Sequence, residues 1–67
     1  MVRKAVSSSR MRSVGWENNV LEIEFLDGAI YQYYDVCYTE YISFMNAPSL
    51  GHELSLLDKR HRYKRVG

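Results

Sequence analysis

The residues best suited to chemistry are cations and aromatic rings near the end of the chain. Residues 59–67 hold five basic side chains, one tyrosine and no acid. Cations contact phosphates and exposed rings stack on unpaired bases, so this run is typical of single-stranded nucleic-acid binding. Two arginines near the start of the chain form a second basic patch, and a tyrosine that faces outward from a predicted strand offers a second ring. The predicted nucleic-acid-binding residues are Arg10, Arg12, Tyr34, Arg60, Arg62, Tyr63, Lys64 and Arg65.

The two signs of charge are segregated along the sequence. All eight acidic residues lie between Ser13 and Asp58, and this stretch contains no Lys or Arg. Two interpretations follow. The basic ends can face a polyanion, because clustered cations raise the local potential whatever the net charge. Alternatively the cations neutralise the acidic middle, with Arg10 and Arg12 beside Glu22 and Glu24 on a neighbouring strand. Most tyrosine rings can likewise be core and rim residues rather than stacking surfaces.

Residue types that support catalysis or metal binding are few. Cys37 lies in an apolar context between Val36 and Tyr38, which predicts a buried structural thiol. His52 and His61 have no partner cysteine or histidine at the spacing of a metal site. No glycine-rich phosphate-binding motif is present. The sequence therefore predicts a protein that is not an enzyme and that carries no metal and no cofactor.

Length and composition predict one small domain. The chain has 67 residues, of which 46% are hydrophobic and one is cysteine. A chain of this size supports a single core. A lone thiol indicates a reducing cytoplasm, and no apolar stretch approaches the length of a membrane span. We expect a single domain over residues 1–67, monomeric and not bound to a membrane, with residues 1–6 and 64–67 flexible.

A β-hairpin is predicted around Asp27-Gly28. Residues 20–26 alternate apolar and acidic side chains, and residues 29–35 form the next strand. A two-residue turn would place Gln32 opposite Ile23 in the core. A three-residue loop with Gly28 in the left-handed conformation instead pairs Ile23 with Tyr31 and points Gln32 outward. Burying an unpaired amide costs about 1–3 kcal/mol, so we expect the three-residue loop. This register pairs Leu21 with Tyr33.

The remaining elements complete an α+β domain. Residues 9–16 predict a third strand with a bulge near Ser13 or Gly15. A helical stripe ends before Pro48, and Ser49 can cap a second helix. The first stripe consists of Tyr38, Tyr41, Ile42 and Met45, and the second of Leu50, Leu54 and Leu57. The predicted fold is a three-stranded antiparallel meander packed by one or two short C-terminal helices. The basic run at residues 61–66 adds an edge strand or forms a loose tail.

Several short motifs together resemble a known family. They are Val6-Ser7-Ser8, Val14-Gly15-Trp16, Leu21-x-Ile23-x-Phe25, Gly28, Tyr31-x-Tyr33, Val36-Cys37 and Ala47-x-Ser49-x-Gly51. Their order and spacing are similar to the KTSC domain, a bacterial and phage module that also occurs at the C-terminus of some lysyl-tRNA synthetases. The family motif residues fall on Ser7, Ser8, Tyr31, Tyr33, Ser49 and Gly51. Cys37 stands where the family usually has proline, and the basic end also departs from the family pattern.

The resemblance implies a small α+β domain without established chemistry, for which RNA binding has been suggested because of the synthetase fusion. Together with the basic and aromatic residues, it predicts a non-enzymatic module that binds RNA or another single-stranded nucleic acid. The alternative is a protein-interaction module that does not bind nucleic acid. In that version Ile30 and Tyr34 form part of a contact patch, or the basic C-terminal segment offers a strand edge to a partner.

Overall fold

A five-stranded antiparallel sheet with two helices on one face accounts for all of the regular structure. The computed structural model describes residues 1–67. The strands are β1 (Arg3–Ala5), β2 (Met11–Glu17), β3 (Val20–Phe25), β4 (Ile30–Tyr33) and β5 (Tyr63–Arg65), and the helices are α1 (Tyr38–Met45) and α2 (Leu50–Arg60). The strands lie side by side in chain order. Both helices lie in the connection between β4 and β5, and neither has the length and apolar character that crossing a membrane would require.

The predicted α+β class is confirmed, whereas the predicted count of three strands is wrong. Residues near the two chain ends add β1 at one edge and β5 at the other, and β5 is the predicted terminal edge strand. β1 depends on a close approach between two backbones. A Cβ at Gly15 would lie 2.5 Å from the carbonyl oxygen of Val2, so a side chain at this position would displace β1. A glycine inside a strand permits such an approach.

Both internal hairpins have turns that suit their residues. Asn18 and Asn19 connect β2 to β3 with φ angles of 50° and 63°. Asparagine tolerates this left-handed conformation better than most residues. Gly28 has a φ of 93° in the next turn, and β3 then pairs Ile23 with Tyr31 and Leu21 with Tyr33. The predicted three-residue loop and its register are confirmed.

A bulge in β2 directs two apolar side chains into one core. The register between β2 and β3 shifts between Met11 and Ser13, which leaves Arg12 as the extra residue. Met11 and Val14 are consequently both fully buried, although regular alternation would place them on opposite faces. The bulge lies beside Ser13, as the imperfect alternation of this segment predicts.

The two helices differ in how well their sequence patterns predict their buried faces. Ser49 caps α2 by accepting a hydrogen bond from the backbone N–H of His52 at 3.3 Å, and Leu54 and Leu57 are buried. In α1 the predicted stripe is wrong in part. Tyr38 and Ile42 are exposed, and the buried residue is Phe44.

The position of α1 explains why its buried face differs from the predicted one. The Tyr38 ring meets Trp16 edge-on with ring centroids 5.2 Å apart, and Trp16 itself is only half-buried. The first turn of α1 therefore packs on the rim of the core. Phe44, near the end of the helix, enters the core itself. Tyr41 and Met45 pack beside it as partly buried residues.

The helix-free face of the sheet carries a polar network. Arg3 donates hydrogen bonds to Glu22 and, at 3.1 Å, to the hydroxyl of Ser13. Gln32 donates to the other oxygen of Glu22 at 2.9 Å, and Ser13 donates to Glu24 at 2.9 Å. This network, Arg3, Ser13, Glu22, Glu24 and Gln32, is called the polar face below. The predicted pairing of these glutamates with Arg10 and Arg12 is wrong, because β1 brings Arg3 to the position opposite Gly15, beside Glu22.

Candidate nucleic-acid interface

An open pocket of about 520 Å³ lies on the helix-covered side of the sheet, where α2 leaves the ends of β3, β4 and β5 uncovered. This volume lies within the roughly 300–1,000 Å³ that small-molecule sites usually occupy. Its apolar wall is mainly aromatic, and its charged groups are two arginines and two aspartates. The rings are Phe25, Tyr31, Tyr33 and Tyr63, and the charged residues are Arg10, Arg65, Asp27 and Asp58. We call it the aromatic pocket.

Strand alternation places the tyrosines together. Tyr31 and Tyr33 are two residues apart in β4 and share one face, and the register of β5 sets Tyr63 opposite Tyr33 and Arg65 opposite Tyr31. The Tyr63 ring centroid lies 5.2 Å from that of Tyr33 and 5.9 Å from that of Tyr31. Tyr33 is only 2% exposed, whereas Tyr63 is 49% exposed. Tyr63 is therefore the most exposed ring of the pocket, while Phe25 and Tyr31 are half-buried.

The hydroxyl of Tyr33 holds a carboxylate at the pocket wall. It donates a hydrogen bond to Oδ1 of Asp58 at 2.7 Å. Burial raises the pKa of Tyr33 far above its ordinary value, and the hydrogen bond to Asp58 and the charge of that carboxylate raise it further. The phenol consequently stays protonated and keeps donating throughout the physiological pH range.

The two pocket arginines make only weak or local contacts. Arg10 donates to the carbonyl oxygen of Gly51 at 3.5 Å, which is a long hydrogen bond, and Arg65 donates to the carbonyl oxygen of Gly67 at 2.8 Å. Neither arginine has an Asp or Glu side chain within 4.0 Å, and the ion pairs with such side chains are formed by Arg3, His61 and Arg62. Both guanidinium groups therefore retain donors for an anionic ligand.

The other residues of the predicted nucleic-acid-binding set lie elsewhere. Lys64 is opposite Gln32 on the polar face, and the Tyr34 hydroxyl donates to Gln32 at 3.4 Å. Arg12 donates to the carbonyl oxygen of Leu26 at 3.3 Å. Arg62 lies 3.6 Å from Asp35 in an exposed ion pair, and Arg60 is exposed in the last turn of α2. The structure thus brings Arg10, Tyr63 and Arg65 together and separates the remaining five.

The family motif residues mostly shape the surroundings of the pocket. Tyr31 and Tyr33 line it. The hydroxyl of Ser8 accepts hydrogen bonds from the backbone N–H groups of Arg10 and Met11 at 3.1 and 3.3 Å, which fixes the entry into β2. Ser49 and Gly51 lie at the start of α2, where Ser49 is the cap and Gly51 accepts from Arg10. Ser7 is exposed.

Sequence reasoning missed two contributors to this region. Asp58 lies four residues after Leu54 and therefore on the same side of α2, a spacing that could have identified it. His61 carries no such signal, because its partners are distant in sequence. Its Nδ1 lies 2.9 Å from the carbonyl oxygen of Tyr34, and its Nε2 lies 2.7 Å from a carboxylate oxygen of Glu40. These contacts fix the end of α2 against α1 and β4 just before β5 begins.

The prediction that Cys37 is a buried structural thiol is wrong. Cys37 is exposed at the N-cap position of α1, with its Sγ 3.2 Å from the hydroxyl of Thr39. The hydrogen bond with Thr39, assisted by the backbone N–H of Glu40, lowers the pKa of the thiol. No group of three or more His, Cys, Asp or Glu side chains is arranged to hold a metal ion.

The KTSC domain family model matches residues 7–54 of this chain. The chain belongs to the KTSC domain family. The crystal structure of a KTSC domain protein from Yersinia pestis superposes with a TM-score of 0.92 at 33% identity and covers 98% of this chain and 97% of that one. A protein of Stutzerimonas stutzeri (strain A1501), described as uncharacterized, is 36% identical over 66 residues, which are 96% of this chain and 93% of the relative.

The segment that matches the family model contains only some of the residues that line the aromatic pocket. Tyr31 and Tyr33 lie inside the matched segment, which ends at Leu54. Asp58, Tyr63 and Arg65 lie beyond it, in α2 and β5. The pocket of this KTSC domain therefore combines two tyrosines of the matched family segment with a ring, a cation and a carboxylate from the C-terminal part of the chain.

Proposed function

We propose that this KTSC domain is a non-enzymatic binding module that holds a segment of single-stranded nucleic acid, RNA in the first instance, at the aromatic pocket. The observation that carries the proposal is a half-exposed tyrosine ring, Tyr63, in an open pocket that two arginines also line. Base stacking on such a ring is worth about 1–3 kcal/mol per base. Arg10 and Arg65 supply donors for the phosphates on either side of the stacked base.

The packing of Tyr63 against Tyr33 favours base stacking on the exposed side of its ring. Its ring rests against Tyr33, which is buried and tied to Asp58. A ring that is already oriented loses little freedom when a base stacks on it, so less of the stacking energy is offset. The charges of Asp27 and Asp58 formally cancel those of Arg10 and Arg65 in the pocket, so binding depends on the ring as well as on phosphate contacts.

The salt dependence follows from the number of cations at the pocket. Each phosphate neutralised on a single strand contributes a slope of roughly −0.7 to log K against log salt. Two phosphates at Arg10 and Arg65 give about −1.4. A C-terminal arm in which Arg60, Arg62, Lys64 and Arg65 all contact phosphates would give about −3. The measured slope therefore distinguishes pocket binding from binding by the whole basic segment.

The test is fluorescence anisotropy with a labelled, mixed-sequence RNA dodecamer at several salt concentrations. Lys64 and Arg65 are neighbours in β5 but face opposite sides of the sheet, so Arg65→Ala and Lys64→Ala are matched charge removals. We expect Arg65→Ala and Tyr63→Ala each to weaken binding roughly tenfold, since 1.4 kcal/mol corresponds to a factor of ten. Lys64→Ala should have a much smaller effect.

Three results would contradict the proposal. Equal losses for Lys64→Ala and Arg65→Ala would mean that the basic segment binds without using the pocket. An unchanged affinity for Tyr63→Ala would exclude stacking on this ring. Absence of binding to any single strand at low salt, where electrostatic attraction is strongest, would favour a protein partner instead.

A further inference from the structure

Two carboxylates, those of Asp27 and Asp58, line the aromatic pocket, and they accept hydrogen bonds from different kinds of group. Oδ1 of Asp27 accepts a hydrogen bond from the backbone N–H of Ala29 at 3.0 Å, so this side chain closes the turn between β3 and β4. Asp58 makes no bond to its own backbone surroundings. Its contact is the Tyr33 hydroxyl at 2.7 Å, which fixes the carboxylate at the pocket wall next to the tyrosine rings.

A fixed carboxylate offers hydrogen-bond acceptors only. The Tyr33 hydroxyl occupies one of roughly four acceptor positions of Asp58, and the others remain free. The exposed ring of Tyr63 and the carboxylate of Asp58 line the same pocket. The Tyr63 ring packs against Tyr33, and the Tyr33 hydroxyl holds Asp58, so the acceptors lie on the residue that supports the stacking ring. Acceptors at this position favour a base whose edge carries N–H donors.

The four bases differ in the donors of their Watson–Crick edges. Guanine presents two neighbouring donors, N1–H and the N2 amino group, which a carboxylate accepts together. Adenine and cytosine each present one amino group beside an acceptor nitrogen. Uracil presents one N–H between two carbonyl oxygens, which a carboxylate repels. Single-stranded bases are read at this edge because they are unpaired.

We propose that Asp58 makes the aromatic pocket selective for guanine in a single strand. The inference rests on the proposed function and adds the base that the pocket prefers. Tyr63 provides the stacking surface, Asp58 accepts from N1–H and N2–H of the base, and Arg10 and Arg65 contact the flanking phosphates. Tyr33 acts as a positioning residue, because its hydroxyl holds the carboxylate.

The test compares oligouridine octamers that carry one central guanosine, inosine, adenosine or cytidine with the all-uridine octamer, by anisotropy competition. Inosine lacks only the N2 amino group of guanosine. We expect the guanosine octamer to bind roughly tenfold more tightly than oligouridine, which corresponds to about 1.4 kcal/mol and is a usual discrimination for a bidentate base contact. The inosine octamer should lose several-fold of that advantage.

Asp58→Asn removes the charge and one acceptor oxygen at nearly constant shape. We expect it to remove most of the preference for guanosine and the difference between guanosine and inosine. Asp35→Asn is the matched control, because it makes the same charge change at an exposed aspartate that pairs with Arg62 away from the pocket. Tyr33→Phe should reduce the preference in part, because it leaves Asp58 in place without its hydrogen bond.

The outcomes separate this inference from the function on which it rests. Octamers that bind equally whatever the central base would overturn guanine selectivity and leave single-strand binding standing. A guanosine preference that persists in Asp58→Asn would exclude Asp58 as its source. If no octamer binds at low salt, both proposals are overturned.

Discussion

β3 carries two differently built faces of the molecule on adjacent residues. Ile23 lies under the helices and is fully buried, whereas Glu22 lies on the polar face, which no helix covers, and is only 9% exposed. Apolar packing buries the first, and the side chains of Arg3 and Gln32 bury the second. The difference shows that a domain of 67 residues can cover the second face of its sheet with polar side chains, provided that the buried side-chain polar atoms have partners, as they all do in this molecule.

The largest effect is expected on the helix-covered face. Ile23→Ala should lower the free energy of unfolding by about 2–5 kcal/mol, because it removes fully buried methyl and methylene groups and leaves a cavity in the core. Urea denaturation followed by circular dichroism measures this loss. A value below about 1 kcal/mol would mean that this face is loosely packed, and the contrast with the polar face would then disappear.

A smaller loss is expected on the polar face. Arg3→Ala should cost about 1–3 kcal/mol, because it removes the cation that compensates the largely buried carboxylate of Glu22. The same substitution in a Glu22→Gln background should cost clearly less, since the uncompensated charge is then absent. Equal losses in the two backgrounds, measured by urea denaturation, would show that Arg3 acts through packing over Gly15 rather than through Glu22.

Alkaline titration tests Tyr33, which is part of the covered core and also lines the aromatic pocket. The pKa of Tyr33 is raised in the folded protein, so the tyrosine ionises more readily when the chain unfolds. Its contribution to stability is complete below about pH 10 and decreases as the pH rises above that value, by at most about 1.4 kcal/mol per pH unit. Tyr33→Phe should remove this part of the decrease. Parallel stability curves for the two proteins between pH 9 and about 11 would contradict the assignment.

The smallest effect on stability is expected at Cys37, which belongs to neither face. Cys37→Ser should change the free energy of unfolding by less than about 0.5 kcal/mol, as is usual for exposed positions. The thiol should instead react rapidly with a bulky disulfide reagent at neutral pH, because its lowered pKa increases the thiolate fraction. Thr39→Ala should slow the reaction at neutral pH. Slow labelling of the native wild type would contradict this expectation.

The parts of the fold that the sequence predicts are those decided by neighbouring residues. The register of β3 and β4 follows from the conformation of Gly28 and from the cost of burying Gln32. The start of α2 follows from the cap at Ser49. Both depend on contacts within a few residues, and both are confirmed.

The parts that the sequence does not predict depend on contacts between distant residues. β1 has three residues and exists because Gly15 lets it approach β2. The rotation of α1 depends on where its first turn meets Trp16. In the pocket, Asp58 becomes a candidate site residue only because the fold places Tyr33 within hydrogen-bonding distance across 25 positions of sequence.

The aromatic pocket is complete only while β5 is paired with β4, because β5 supplies Tyr63 and Arg65. This strand has three residues, all with exposed side chains, and it pairs with a strand that lies about thirty positions earlier in the chain. Exposed elements with few buried apolar contacts open at lower free energies than core strands, and pairing between distant positions slows folding. The hairpins from β2 to β4 can thus stay intact while Tyr63 and Arg65 detach. We therefore expect amide protons of β5 to exchange with solvent well before those of β3, and we expect a ligand to bind the paired state of β5, in which Tyr33 orients Tyr63.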